Sequence, residues 1–160
     1  MDFDFDIYCV SRKFMETYPN TKFPELMCKE VRPYACLLID THTDYLICVP
    51  YRSQINHRNA FMFTRSKRSR TKKSGLDYSK VVLIKEPNFL GDKTMVDNDE
   101  YKETIINLPK IVAEVTKYIN GYIQAITEAI PIDKVQFDRK YKFTTLKYFH
   151  DILNIEKTKP

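Results

Sequence analysis

Hydrophobic residues in this chain keep two different periods, and the order in which the periods appear restricts the folds open to it. In the N-terminal half the period is two. Phe3, Phe5, Ile7 and Cys9 alternate with Asp4, Asp6 and Tyr8, the pattern of a half-buried strand. Apolar runs at 35–40 and 45–51 flank Thr41-His42-Thr43-Asp44 and read as a hairpin. Residues 60–64 supply a short fourth strand, and 80–85 a fifth whose apolar run points to burial on both faces. Past Pro87 the period becomes helical: Tyr101, Ile105, Leu108, Val112, Val115, Ile119, Tyr122 and Ile126 mark one face of a long helix over 98–127. Pro109 removes the bond to the Ile105 carbonyl and strains Leu108, which predicts a kink or break near 105–108.

Shorter helices complete the reading. Ser11 is an N-cap for a helix through Tyr18, Pro24 opens a helical turn over 24–29, and Pro131 ends the long helix before a last one over 144–153. Strands first and helices afterwards give an α+β domain with a mostly antiparallel sheet. At 160 residues and 43% hydrophobic content the chain supports one core, so 1–160 is read as a single domain. The basic run described below is its one compositionally biased stretch.

That run lies within residues 45–80, which contain no acid before Asp77. The strand at 45–51 leads into Arg52 and Ser53, then Asn56, His57, Arg58 and Asn59; the strand at 60–64 opens onto Arg65, Lys67, Arg68, Arg70, Lys72 and Lys73. The 65–74 segment is too charged to bury and reads as a functional or mobile loop. The net charge of +5 is unevenly spread, because acids gather at Asp2, Asp4, Asp6 and again between Asp92 and Glu103. The positive field therefore concentrates in the middle of the chain, with Tyr45, Tyr51, Phe61, Phe63 and Tyr78 interleaved, a combination that favours RNA as partner.

No apolar run approaches the ~20 residues that span a bilayer, and the N-terminus carries acids where a signal peptide carries bases, so a cytoplasmic location is expected. Cys9, Cys28, Cys36 and Cys48 form no Cys-x-x-Cys pair, and three of them sit inside apolar strand patterns. Neither a disulfide framework nor a metal or other cofactor is expected.

The block PYACLLIDTHTDYLICVPYRSQINHRNAF, together with SGLDYSKVVLI, resembles the toxins of type III toxin-antitoxin systems, the ToxN/AbiQ group, and within it the TenpN and CptN branches. The resemblance covers roughly the first two-thirds of the chain and rests on order and spacing: Pro50-x-x-Ser53 at a strand end, a histidine shortly after, and Gly75-Leu76 before the next strand. Where the family carries Thr-Ser-Pro-Lys this chain has Arg52-Ser53-Gln54-Ile55, so the serine matches and the threonine and lysine do not. The resemblance implies a compact, curved barrel like that of the Kid/MazF ribonuclease toxins, decorated with helices. It also implies a metal-independent endoribonuclease of phage defence, inhibited by a repeated pseudoknot antitoxin RNA in a closed protein-RNA hetero-oligomer, and acting on cellular or phage RNA.

In such enzymes the ribose 2'-OH attacks the phosphate, leaving a 2',3'-cyclic phosphate and a 5'-OH. The protein supplies a proton acceptor, a proton donor and cations for charge that develops in the transition state. The resemblance puts Ser53 nearest the scissile phosphate, where hydrogen bonding suits it better than proton abstraction. Arg52 stands to supply the cation lost with the missing lysine, since a guanidinium grips phosphate through two donors. Histidine is the side-chain type suited to acid or base work at neutral pH, which makes His57 a candidate for it. Arg32, Tyr34, Arg58 and the cations from Arg65 to Lys73 are the expected RNA contacts. Each has a plainer reading: Ser53 satisfies a strand-end amide, His57 is a surface residue, Arg32 and Arg52 are in ion pairs, and the basic run is a solvated face. A non-catalytic RNA-binding module using the same surface is the alternative function.

Overall fold

The computed structural model describes residues 3–26 and 35–155. Among these residues seven strands make an α+β fold with an antiparallel sheet that does not close: β1 (Asp4–Val10), β2 (Ala35–Asp40), β3 (Leu46–Arg52), β4 (Ala60–Met62), β5 (Gly75–Asp77), β6 (Val82–Ile84) and β7 (Leu90–Lys93). Their order is β4-β5-β3-β2-β1-β7, with β6 also on β3. The hairpin at 41–44 forms as expected, pairing Ile39 with Ile47 and Cys36 with Pro50.

Strand β3 organises the rest. One edge takes β2, while the other takes β6 against Leu46 to Cys48 and then β5 against Tyr51 and Arg52. Pro50 falls in the gap between those two pairings, where the ladder on that edge is interrupted and a missing N–H costs least. Gly75, paired with Arg52, has to be glycine: a Cβ there would lie 2.4 Å from the Phe61 carbonyl oxygen on β4. Only a backbone without a side chain lets β4 press so close to β5.

Among the described residues there are five α-helices: α1 (Arg12–Thr17), α2 (Lys67–Lys72), α3 (Asn98–Ile106), α4 (Leu108–Ile126) and α5 (Lys134–Tyr141). The Ser11 hydroxyl caps α1 by accepting the Phe14 N–H. The predicted long helix is two helices, and the break falls at Asn107, where Pro109 enters the first turn of α4. Helix α4 keeps the predicted stripe, burying Leu108, Ile111, Val112, Val115, Tyr118, Ile119 and Tyr122 in one core with β2, β3 and β6. Helix α3 does not. Tyr101 and Ile105 are exposed, and Glu100, Glu103 and Thr104 are buried in their place. Once the break frees α3 from the register of α4, it turns toward the segment with donors for its carboxylates.

Other elements differ from expectation. The basic segment 65–74 is no loop but contains α2, capped by the Ser66 hydroxyl on the Ser69 N–H. The fifth predicted strand shortens to β6, because the Asp77 carboxylate caps a 3-10 turn at Tyr78–Lys80. Strands β5 and β7 and helix α5 had no clear periodic signal. The last predicted helix is a 3-10 turn, Thr145–Tyr148, that buries Leu146 and is followed by buried Phe149. The 24–29 turn is seen as a 3-10 turn at Pro24–Leu26, its remainder lying outside the described residues. Cys36 and Cys48 are buried in the core, as small hydrophobes in strands should be.

Candidate active site

Arg52 and His57 meet on a residue that the sequence reading passed over. Asp77, at the end of β5, has a fully buried side chain, yet it is surrounded by donors. Its Oδ2 accepts from Arg52 Nη1 at 2.6 Å. Its Oδ1 lies 3.1 Å from His57 Nε2 and accepts both the Ser79 hydroxyl at 2.6 Å and the Ser79 N–H at 3.0 Å. Burial alone would raise the Asp77 pKa, but hydrogen bonds from His57 and Ser79 and the charges of His57 and Arg52 outweigh it and hold the carboxyl below its ordinary value. Asp77 is therefore a fixed anion that orients one guanidinium and one imidazole.

The two groups held by Asp77 are left in different states. Arg52 gives one donor to Asp77, and its other N–H groups make no hydrogen bond among the described residues, so they remain for an anion. His57 Nδ1 accepts the Asn59 N–H at 3.1 Å, which places the ring proton on Nε2, facing Asp77. Both ring nitrogens are thus engaged.

Ser53 follows β3 directly, half-buried, and its hydroxyl makes no hydrogen bond among the described residues. The plainer reading, a serine satisfying a strand-end amide, is not what the structure shows. The backbone beyond it is held from outside: Gln54 N–H donates to Lys72 O at 2.6 Å and Ile55 N–H to Lys73 O at 3.2 Å. Gln54 has φ 58° and Lys73 φ 49°, left-handed conformations that cost a non-glycine residue about 1 kcal/mol each. The turn carrying Ser53 is thus strained and clamped to the C-terminal end of α2.

Two buried glutamates of α3 hold the basic segment in place. Glu100 Oε2 accepts the hydroxyls of Ser66 at 2.8 Å and Ser74 at 2.7 Å, and Glu100 Oε1 accepts from Arg68 Nη2 at 2.8 Å. Glu103 Oε1 accepts the N–H groups of Thr64 at 2.9 Å and Arg65 at 2.6 Å. The positive run is therefore not unopposed, which corrects the sequence reading. Arg68 is spent on Glu100, whereas Arg65, Lys67, Arg70, Lys72 and Lys73 are exposed. Of these, Lys73 reaches Asn56 Oδ1 at 3.3 Å. Arg58 is exposed at the rim of the His57 loop, and Arg32 and Tyr34 lie outside the described residues.

The residues missed were Asp77, Ser79, Glu100 and Glu103. Asp77 carried a signal, being the lone acid in 45–80. An isolated carboxylate among so many cations is a natural centre for them. The acids of 92–103 read as a separate region because nothing in their spacing says that they fold onto 64–74. Lys80, next to this cluster, is buried with Nζ donating to Phe143 O at 2.9 Å, and burial lowers its pKa.

Comparison with protein-family models, with characterised proteins and with solved structures finds no match.

Proposed function

We propose that this protein is a metal-independent endoribonuclease toxin of the type III toxin-antitoxin class. The observation that carries the reading is the buried Asp77, which fixes Arg52 and His57 one and four residues from Ser53 in the segment that resembles the family's active site. Ser53 donates its uncommitted hydroxyl to a non-bridging oxygen of the scissile phosphate, and the spare donors of Arg52 take up charge on the phosphorane. His57 Nδ1 accepts the 2'-OH proton, exchanging its contact with the Asn59 N–H, while Asp77 stabilises the imidazolium. The 2'-oxygen bonds to phosphorus as the bond from phosphorus to the 5'-oxygen breaks, the 5'-oxygen takes a proton from water, and His57 later returns its proton to solvent, so that the products are a 2',3'-cyclic phosphate and a 5'-OH.

On this reading the open antiparallel sheet is a curved, barrel-like sheet of the Kid/MazF type. The exposed cations of α2 and its flanks hold a repeated pseudoknot antitoxin RNA in a closed protein-RNA assembly in the cytoplasm, and free toxin cuts cellular or phage RNA. The test is to incubate the protein with single-stranded RNA in excess EDTA and to analyse the ends. Cyclic phosphates and 5'-hydroxyls are expected; cleavage abolished by chelation, or 5'-phosphates, would count against it.

One observation favours a second reading. Both nitrogens of His57 are occupied, as in a histidine that stiffens a loop, and this suits a non-catalytic RNA-binding module on the same surface. RNA bound tightly and left intact, with no toxicity on expression, would select it.

A further inference from the structure

A cleft starts at the rim of the His57 loop and runs along the outer face of α4, beside the end of α5. Its near part, about 280 Å3, is lined by Arg58, Asn59, Tyr78, Glu114, Lys117 and Lys140. Its far part, about 540 Å3, is lined by Thr116, Lys117, Asn120, Gly121, Gln124 and Lys140. The two parts share Lys117 and Lys140 and so adjoin along one track of surface. It is separate from α2, and nothing in the proposed chemistry uses it.

The lining has a consistent chemistry. Arg58, Lys117 and Lys140 are exposed cations, and Asn120 and Gln124 offer exposed amides. Glu114 is the one acid of the lining, and its Oε1 already accepts the Tyr78 hydroxyl at 2.8 Å. The track is also registered to the site: Asn59 Nδ2 donates to Lys140 O at 3.3 Å, which ties the 57–59 loop to the end of α5. At Gly121 a Cβ would lie 2.6 Å from Tyr141 Oη, so α4 and the end of α5 pack closely there beneath a shallow trough. Cations spaced along such a trough, with amides between them, match alternating phosphates and ribose hydroxyls.

We propose that this α4/α5 cleft holds the backbone of the RNA strand being cleaved, on the flank that leaves the site past Arg58. The inference rests on the endoribonuclease reading for the identity of the strand. The cleft itself can be tested by binding, without any cleavage. The probes are 2'-O-methyl RNAs, which lack the attacking hydroxyl, of about four and about sixteen nucleotides, the span of common single-strand site sizes. Their affinities for the parent protein and for K117Q/K140Q are measured across a salt series. For the long probe the slope of log affinity against log salt should flatten by about 1.4, two phosphate contacts at about 0.7 each, and K117R/K140R should restore it. The short probe should not change. An unaltered slope for the long probe, equal losses for both probes, or an equal loss for polyglutamate would each overturn the assignment. Failure of the parent protein to cleave RNA would remove the ribonuclease reading but leave this binding result standing.

Discussion

Arg68 and Glu100 form a bidentate contact, Nη2 to Oε1 at 2.8 Å and Nε to Oε2 at 3.3 Å, between the most basic segment of the chain and a fully buried carboxylate. The pair makes α2 part of the folded body. It also divides the basic run into one structural arginine and a set of exposed cations available to a polyanion.

Replacing Glu100 with Gln should therefore destabilise the protein, since Arg68 loses its anion and the Ser66 and Ser74 hydroxyls lose a charged acceptor. A loss of about 2–3 kcal/mol is expected, below the 3–5 kcal/mol of a wholly buried pair because Arg68 still reaches solvent. Denaturant unfolding of E100Q measures it. A change within about 0.5 kcal/mol would mean that the clamp contributes nothing.

The exposed cations should behave oppositely. K67Q/R70Q/K72Q leaves Arg68 in place, so the melting temperature should stay put while RNA affinity falls. The salt slope should flatten by about two units, three contacts at about 0.7 each. A slope equal to that of the parent protein would make the run a solvated face.

Ser53→Ala removes a hydroxyl with no hydrogen bond among the described residues, so its cost in stability should be within about 0.5 kcal/mol. Ribonuclease activity and toxicity should nevertheless be lost. Full toxicity at equal expression would show that Ser53 lies outside the chemistry.

Asp77 should be needed for both fold and activity. Its carboxyl is held below its ordinary value, so it contributes stability that is present above about pH 4 and is lost as the pH falls through the folded pKa. D77N should flatten the acid limb of the stability curve and abolish cleavage with Ser53 intact. Wild-type activity in D77N would show that Arg52 and His57 need no orienting anion.

A second acid-sensitive contact ties the 3-10 turn at Pro24–Leu26 to the one at Thr145–Tyr148. Burial pushes the Glu25 carboxyl up, but hydrogen bonds from Lys147 and Tyr148 prevail and bring it to about 2, against an ordinary 4.5. Its contribution is complete above pH 4.5 and is lost as the pH falls toward 2. E25Q should be less stable than the parent at pH 6 and close to it at pH 2. An equal difference at both pH values would show that the contact does not titrate.

Elements whose burial pattern repeats locally could be read directly from the order of residues. The alternation at 3–9, the Ser11 cap, the hairpin around 41–44 and the α4 stripe were legible because the partner of each residue is its neighbour one strand or one turn away. Pro109 likewise announced the break at Asn107, since a missing N–H acts wherever it stands. At the site, the strand end at Arg52 and Ser53 and the loop at His57 could be named from type and position. What those side chains meet is set by contacts between distant segments that exist only in the folded chain. Asp77 reaches Arg52 across 25 residues and Glu100 reaches Arg68 across 32, and periodicity carries no information about such pairs. For the same reason α3 reads as an apolar face but buries its acids. A carboxylate is driven inside by donors that a distant segment brings, and those donors exist only once the chain has folded.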